Sequence, residues 1–86
     1  MKCKIELLVA PGGCSKCARA KEKIQQVLQD YKGKVVVKET DITKDPSRLV
    51  QLGIMGTPAV LVNGKLAFEG VPDERKLREK IESCLA

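Results

Sequence analysis

The sequence contains no histidine and no tryptophan, and it has a single tyrosine and a single phenylalanine. Histidine is the most common general base near neutral pH and the most common metal ligand, so its absence removes both of those uses. Any chemistry that the chain performs must therefore use thiols, carboxylates, amines or backbone groups. The scarcity of aromatic rings also argues against a nucleic-acid binder, because such proteins commonly stack aromatic side chains on bases.

A net charge of +5 results from 16 basic and 11 acidic residues. The lysines are spread over several segments without interleaved aromatic residues, so we interpret the charge as a solvated surface and expect no nucleic-acid partner. No run approaches the roughly 20 apolar residues of a membrane-spanning helix. The chain does not start like a signal peptide either, because Glu6 interrupts its short apolar run. We therefore expect a monomer in the cytoplasm that does not contact membranes.

The residue patterns predict an α/β domain over residues 1–86 with the element order β-α-β-α-β-β-α. Alternating or continuous apolar residues predict strands over 3–9, 35–40, 59–62 and 65–68. Helical periodicity or end signals predict helices that begin near 15, 47 and 73. The strand-helix-strand opening predicts a parallel pair, and Asn63-Gly64 predicts an antiparallel hairpin. We expect a four-stranded mixed sheet flanked by three helices.

Cys14 and Cys17 follow directly after the Pro-Gly-Gly turn that ends the first strand. The turn places Cys14 at a helix N-terminus, where unpaired N–H groups and the helix dipole stabilise a thiolate. Cys17 begins the buried face of that helix and should be the less exposed sulfur. This asymmetry suits disulfide exchange, in which Cys14 attacks a partner disulfide and Cys17 resolves the mixed disulfide. The same spacing also suits a soft metal ion such as Cu(I) or Zn(II).

The remaining cysteines, Cys3 and Cys84, lie near the chain ends on apolar faces. Free cysteine behaves there as a small hydrophobic residue. We therefore expect two buried and inert thiols in preference to a second disulfide or a redox sensor. This placement is unlike that of a secreted domain held together by disulfides, and it favours a reducing compartment.

The segment Gly56-Thr57-Pro58-Ala59 opens the third predicted strand. Proline is tolerated at the first position of a strand. A cis bond before Pro58 would leave the backbone of Thr57 available to dock an extended substrate beside the Cys14 sulfur. Only about 5–6% of such bonds are cis, so the residues by themselves favour an ordinary trans proline without deciding the isomer. Just before this segment, Met55 is expected to pack near the site.

The Cys-Ser-Lys-Cys motif after the first strand, Gly-Thr-Pro-Ala-Val at the third, the Asn-Gly hairpin and the closing helix together resemble the thioredoxin superfamily. The closest resemblance is to its small glutaredoxin-like, redox-active disulfide proteins. It implies a minimal thioredoxin fold with Cys14 as nucleophile, Cys17 as resolving thiol and Pro58 as a cis-proline that faces them. Thr57 would make backbone contacts to a bound peptide or thiol. The implied partners are disulfide-containing proteins and a reductase or thiol reductant, with no cofactor and no metal.

One departure from that family concerns the proton of the resolving thiol. Thioredoxins carry a buried aspartate six residues before the first cysteine, and this chain has Leu8 there. Proton transfer from Cys17 would then fall to Glu6, Lys16 or water, and the sequence does not decide among them.

Two other classes of function compete with the oxidoreductase. A metal carrier would resemble the ferredoxin-like heavy-metal domains, which also have a glycine-rich Cys-x-x-Cys loop after a strand. Those domains follow a β-α-β-β-α-β order, whereas this chain ends in a predicted helix. A thioredoxin-fold adaptor without redox chemistry is the third class. The intact pair of Cys14 and Cys17 counts against it, because such adaptors commonly lose one thiol.

Overall fold

The computed structural model describes residues 3–10, 12 and 15–86. These residues form four strands, β1 (Cys3–Val9), β2 (Val35–Asp41), β3 (Ala59–Val62) and β4 (Lys65–Glu69). They also form three α-helices, α1 (Ser15–Leu28), α2 (Ser47–Leu52) and α3 (Glu74–Leu85). A short 3₁₀ helix over Gln29–Tyr31 continues α1. The predicted elements and their order are confirmed, and β2 and β4 each extend one residue beyond the predicted end.

The sheet has the strand order β2-β1-β3-β4, so β1 occupies an inner position. Strands β1 and β2 are parallel, whereas β3 runs antiparallel to both β1 and β4. Asn63 and Gly64 join β3 to β4 with φ angles of 51° and 82°. Positive φ at both central residues is what a tight hairpin turn of the Asn-Gly type requires. The predicted mixed sheet is therefore confirmed.

Two apolar clusters pack on opposite faces of the sheet. Strand β1 contributes Ile5 and Leu7 to the larger one, which the buried faces of α1 and α3 cover. Its fully buried members are Ile5, Leu7, Ala20, Ile24, Val27, Val60, Leu77 and Ile81. The smaller cluster gathers Leu8, Ile54, Ala59 and Leu61 under α2. Because β1 supplies both clusters, it carries the central packing of the domain, and each fully buried aliphatic side chain contributes about 1.5–3 kcal/mol.

The helix ends follow ordinary capping chemistry. The Asp73 side chain accepts a hydrogen bond of 3.1 Å from the backbone N–H of Arg75 and caps α3. Gly53 ends α2 in the left-handed region at φ 68°, where glycine has no side-chain penalty.

In the part of the chain that the structure describes, no helix combines the length and the apolar character that crossing a membrane requires.

Cys3 and Cys84 are joined by a disulfide, so the expectation of two separate thiols is wrong. Ile81 and Leu77 pack α3 against the cluster that contains Ile5 of β1. Cys84 lies one turn beyond Ile81 on α3, and Cys3 lies two residues before Ile5 on the same face of β1. This docking brings the two Cα atoms to 5.8 Å across a sequence separation of 81 residues. Cysteine placement therefore no longer supports the inference of a reducing compartment.

Candidate functional site

The end of β1 and the start of β3 lie at the same edge of the sheet. Leu8 of β1 is directly opposite Ala59 of β3 in the antiparallel ladder. The chain after β1 and the Thr57–Pro58 segment before β3 therefore leave the sheet side by side. Helix α1 begins at Ser15, just after the first of these segments. The predicted nucleophile, Cys14, lies outside the described residues.

Cys17 lies in the first turn of α1 and is only 6% exposed. It starts the buried face that continues through Ala20, Ile24 and Val27. This spacing of three or four residues places the four side chains on one side of the helix. The predicted burial of Cys17 is confirmed, and its sulfur is not a free thiol in the structure.

The Thr57–Pro58 peptide bond is cis. The residues by themselves left the isomer open, and the cis isomer is the one that the thioredoxin resemblance implies. Pro58 is buried, and its carbonyl oxygen accepts a hydrogen bond of 2.7 Å from the N–H of Gly70. Thr57 is half-buried and precedes β3, beyond the Leu8–Ala59 pair of the ladder. Its backbone therefore lies at the end of the sheet where β1 stops and β3 begins.

The residue pattern did not predict that two apolar side chains, those of Met55 and Val50, are exposed. Met55 is 94% exposed, two residues before Thr57, so the expectation that it packs is wrong. Val50 of α2 is 84% exposed. The packing of α2 uses Leu49 and Leu52 and that of the following segment uses Ile54, which leaves Met55 and Val50 outside the core. The six residues of α2 give too little periodicity to predict that Val50 is exposed, and Met55 lies beyond the helix in a segment without periodicity.

Glu6 of β1 forms an ion pair on the α2 face of the sheet. Arg48 of α2 donates through both terminal nitrogens, with Nη2 to Oε1 at 2.5 Å and Nη1 to Oε2 at 3.1 Å. Thr40 Oγ1 donates to Oε2 at 2.5 Å. Burial by itself would raise the pKa of Glu6, but the Thr40 and Arg48 hydrogen bonds and the charges of Arg48 and Lys38 outweigh it and lower the pKa.

These contacts argue against Glu6 as the proton acceptor for Cys17. A carboxylate with a lowered pKa holds a proton poorly near neutral pH. Helix α1, which carries Cys17, packs on the face of the sheet opposite Arg48. Glu6 instead ties β1 to α2. Of the groups that the sequence offered for the proton transfer, Lys16 and water remain.

Glu6→Gln should lower the free energy of unfolding at pH 7 by about 1–3 kcal/mol, because it leaves Arg48 without its charged partner. The folded-state pKa of Glu6 lies below the ordinary 4.5. The stabilisation is therefore complete above that value and is lost as the pH falls through the folded-state pKa. Urea unfolding of the parent and of the Glu6→Gln variant from pH 7 to pH 3 should show that the difference between their free energies of unfolding shrinks as the pH falls.

The exposed pair of Arg75 and Glu79 offers the matched control, with side chains 86% and 66% exposed. Glu79→Gln should change the stability by less than about 0.5 kcal/mol at any of these pH values. Equal effects of the two substitutions at pH 7 would contradict the stabilising role assigned to Glu6.

The fold and the edge formed by α1, β1 and β3 define a thioredoxin-fold protein. The terminal helix α3 and the order β-α-β-α-β-β-α separate it from the ferredoxin-like metal carriers. Solved structures of similar shape are thioredoxins, which supports this assignment of the fold. Chloroplastic thioredoxin z matches with a TM-score of 0.78 at 20% identity, over 96% of this chain and 78% of that one. A mutant thioredoxin from Halobacterium salinarum matches with 0.77 at 18% identity, over 99% of this chain and 76% of that one.

Sequence comparison identifies the family. A family model described as "Thioredoxin domain" matches residues 1–82. A thioredoxin from Methanocaldococcus jannaschii is 32% identical over 84 residues, covering 98% of both chains. A probable thioredoxin from Methanothermobacter marburgensis is 32% identical over 81 residues, covering 94% of both. The chain belongs to the thioredoxin family, whose general activity is thiol–disulfide oxidoreduction.

Proposed function

We propose that this chain exchanges disulfides with partner proteins through Cys14 and Cys17. The Cys14 thiolate attacks one sulfur of the partner disulfide, and the other partner sulfur leaves as a thiolate and takes up a proton. The Cys17 sulfur, after losing its proton, attacks Cys14, displaces the first partner sulfur and closes a Cys14–Cys17 disulfide. A reductase or a thiol reductant then returns both cysteines to thiols.

The burial of Cys17 is the observation that supports this order of steps. A cysteine that is 6% exposed in the first turn of α1 is poorly placed to meet the disulfide of another protein. It is well placed to attack a sulfur three residues earlier in the chain. The resolving role therefore suits Cys17, and the attacking role goes to Cys14.

Thr57 is proposed to dock the substrate. Its backbone lies beyond the first pair of the β1–β3 ladder, where an extended segment of a partner can add main-chain hydrogen bonds. Pro58 completes this edge. Met55, almost fully exposed two residues before Thr57, would contact apolar residues of the same segment. This arrangement favours protein substrates over small thiols.

The physiological setting is part of the proposal. The chain would act as a single domain over residues 1–86 and as a cytoplasmic monomer, in the manner of the small glutaredoxin-like redox proteins. Its electrons would come from a reductase or a thiol reductant, with no cofactor of its own.

The test is dithiothreitol-driven reduction of insulin by chelator-treated protein. We expect catalysis well above the rate with dithiothreitol alone. Absence of catalysis would contradict the proposal. If the untreated protein also arrived with bound Cu(I) or Zn(II), the two cysteines would be assigned to a metal carrier instead.

Met55→Ser should slow insulin reduction about 3- to 10-fold through a higher KM, because one apolar contact is worth about 1 kcal/mol. Val36→Ser is the matched control, since Val36 is 47% exposed on β2, away from the Thr57 edge. It should leave the rate unchanged. Equal rates for the Met55→Ser variant and the parent would remove Met55 from the docking surface.

A further inference from the structure

We propose that the Cys3–Cys84 bond is a closed structural disulfide that stays oxidised while Cys14 and Cys17 turn over. The two pairs of cysteines would then have opposite reactivity in one small domain. Only the contrast with a cycling Cys14–Cys17 pair rests on the proposed function. The resistance of the Cys3–Cys84 bond to reduction follows from its own surroundings.

The burial of Cys3 blocks the first route of reduction. Cys3 is 0% exposed at the start of β1, and its backbone N–H donates to the Lys34 carbonyl at 3.1 Å. An external thiolate must approach a sulfur along the axis of the S–S bond that it breaks. No thiolate in solution can reach the Cys3 sulfur in that way while the chain is folded.

The Asn63 side chain contacts the second sulfur of the bond, that of Cys84. Its Nδ2 donates to the Cys84 sulfur at 3.1 Å, while its Oδ1 accepts from the Lys4 N–H at 2.9 Å. Its own backbone N–H donates to the Lys4 carbonyl at 2.8 Å. These bonds hold the amide between β1 and α3, against one side of the partly buried Cys84 sulfur.

The hydrogen bond from Asn63 favours departure of the Cys84 sulfur, which is not the sulfur that an accessible attack would displace. A donor on the Cys84 sulfur stabilises Cys84 as a thiolate, but expelling Cys84 requires attack on the inaccessible Cys3. Attack on Cys84 would instead expel Cys3 as a thiolate into an apolar interior, where a charged sulfur is poorly solvated and is therefore a poor leaving group. Both routes are therefore slow.

The folded chain would also favour the reverse exchange, in which the Cys3 and Cys84 thiols reduce the ring-closed, oxidised reductant and re-form their own bond. Ile5 of β1 and Ile81 of α3 belong to one buried cluster, so the two elements stay together without the disulfide. After a dithiol reductant had attacked Cys84, released the Cys3 thiol and then closed its own ring to release the Cys84 thiol, the two thiols would remain at bonding distance. Their high effective concentration favours the oxidised form.

The unreactive Cys3–Cys84 bond would also restrict where disulfide exchange takes place. It removes two of the four cysteines from reaction with partner disulfides, so mixed disulfides form at Cys14 alone. It also anchors the start of β1, the strand whose far end leads to Cys14.

The test follows reduction of each pair in the folded protein. The air-oxidised chain would be incubated with dithiothreitol at neutral pH, quenched with acid at intervals, unfolded without reductant and labelled with N-ethylmaleimide. Labelling after unfolding marks every reduced cysteine, whatever its burial. Peptide mass spectrometry would then give one rate for Cys14 and Cys17 and another for Cys3 and Cys84.

We expect Cys3 and Cys84 to be reduced at least about 100-fold more slowly in the folded chain than in guanidinium chloride, with Cys14 and Cys17 reduced quickly in both. Equal rates for the two pairs in the folded chain would overturn the proposal. Labelling of Cys3 and Cys84 without any dithiothreitol would overturn it as well. Insulin reduction is measured separately, so slow reduction of Cys3 and Cys84 stands even if insulin turnover fails.

Asn63→Gly is the variant that tests the mechanism, because glycine keeps the positive φ of this turn position. It removes the donor and opens one side of the Cys84 sulfur, so reduction of Cys3–Cys84 should accelerate about 10-fold while Cys14 and Cys17 keep their rate. An unchanged rate would remove Asn63 from the explanation and leave the burial of Cys3 as its sole basis. Circular dichroism would confirm that the variant is folded.

Discussion

Cys17→Ser should abolish dithiothreitol-driven turnover of insulin and leave the substrate covalently attached to Cys14. A serine hydroxyl cannot displace a sulfur from a mixed disulfide, so exchange stops after its first step. Residual release depends on dithiothreitol reaching the mixed disulfide. We expect the rate to fall at least about 100-fold, because removing one member of a catalytic pair removes most of its catalysis. Stopped assays on non-reducing gels would show the adduct.

Cys14→Ser is the matched control for this prediction. It should be equally inactive but should form no adduct, because the buried Cys17 cannot make the first attack. Adducts at Cys17 in that variant, or normal turnover by Cys17→Ser, would contradict the assigned roles. Both variants keep Cys3 and Cys84, so a difference between them reports on the exchange chemistry and not on the fold.

Cys84→Ala should have the largest effect on stability. Closing a loop with a sequence separation of 81 residues restricts the unfolded chain and stabilises the folded state by about 4.5 kcal/mol in the chain-entropy model. A domain of 86 residues has a total stability of roughly 4–13 kcal/mol. Loss of the bond should therefore lower Tm by roughly 20–30 °C.

Guanidinium unfolding without reductant would measure this loss. The m-value should increase in Cys84→Ala, because an unfolded chain without the crosslink exposes more surface. Ser83→Ala, one residue earlier on α3, is the control and should change the stability by less than about 0.5 kcal/mol. A loss below about 1 kcal/mol in Cys84→Ala would mean that the bond does not constrain the unfolded chain.

Local patterns predicted most of the fold because the signals lie within a few residues. The change from strand to helical periodicity marked α1, and the spacing from Cys17 to Val27 predicted which face of α1 is buried. Asn63 and Gly64 predicted the hairpin, since few residues accept positive φ at both positions. Val50 shows the limit of this approach, because α2 is too short to reveal which of its side chains stay outside the core.

The sequence by itself determined the order of the elements, the mixed sheet and the buried position of Cys17. Each depends on the preferences of neighbouring residues and on apolar periodicity. Only the tertiary structure decided that Cys3 meets Cys84, that Arg48 neutralises Glu6 and that the Thr57–Pro58 bond is cis. The first two are contacts between groups far apart in sequence, and nothing local at either end specifies the partner. The third is a choice between two isomers that differ by only about 0.5–1 kcal/mol, so the packing around Pro58 selects the isomer.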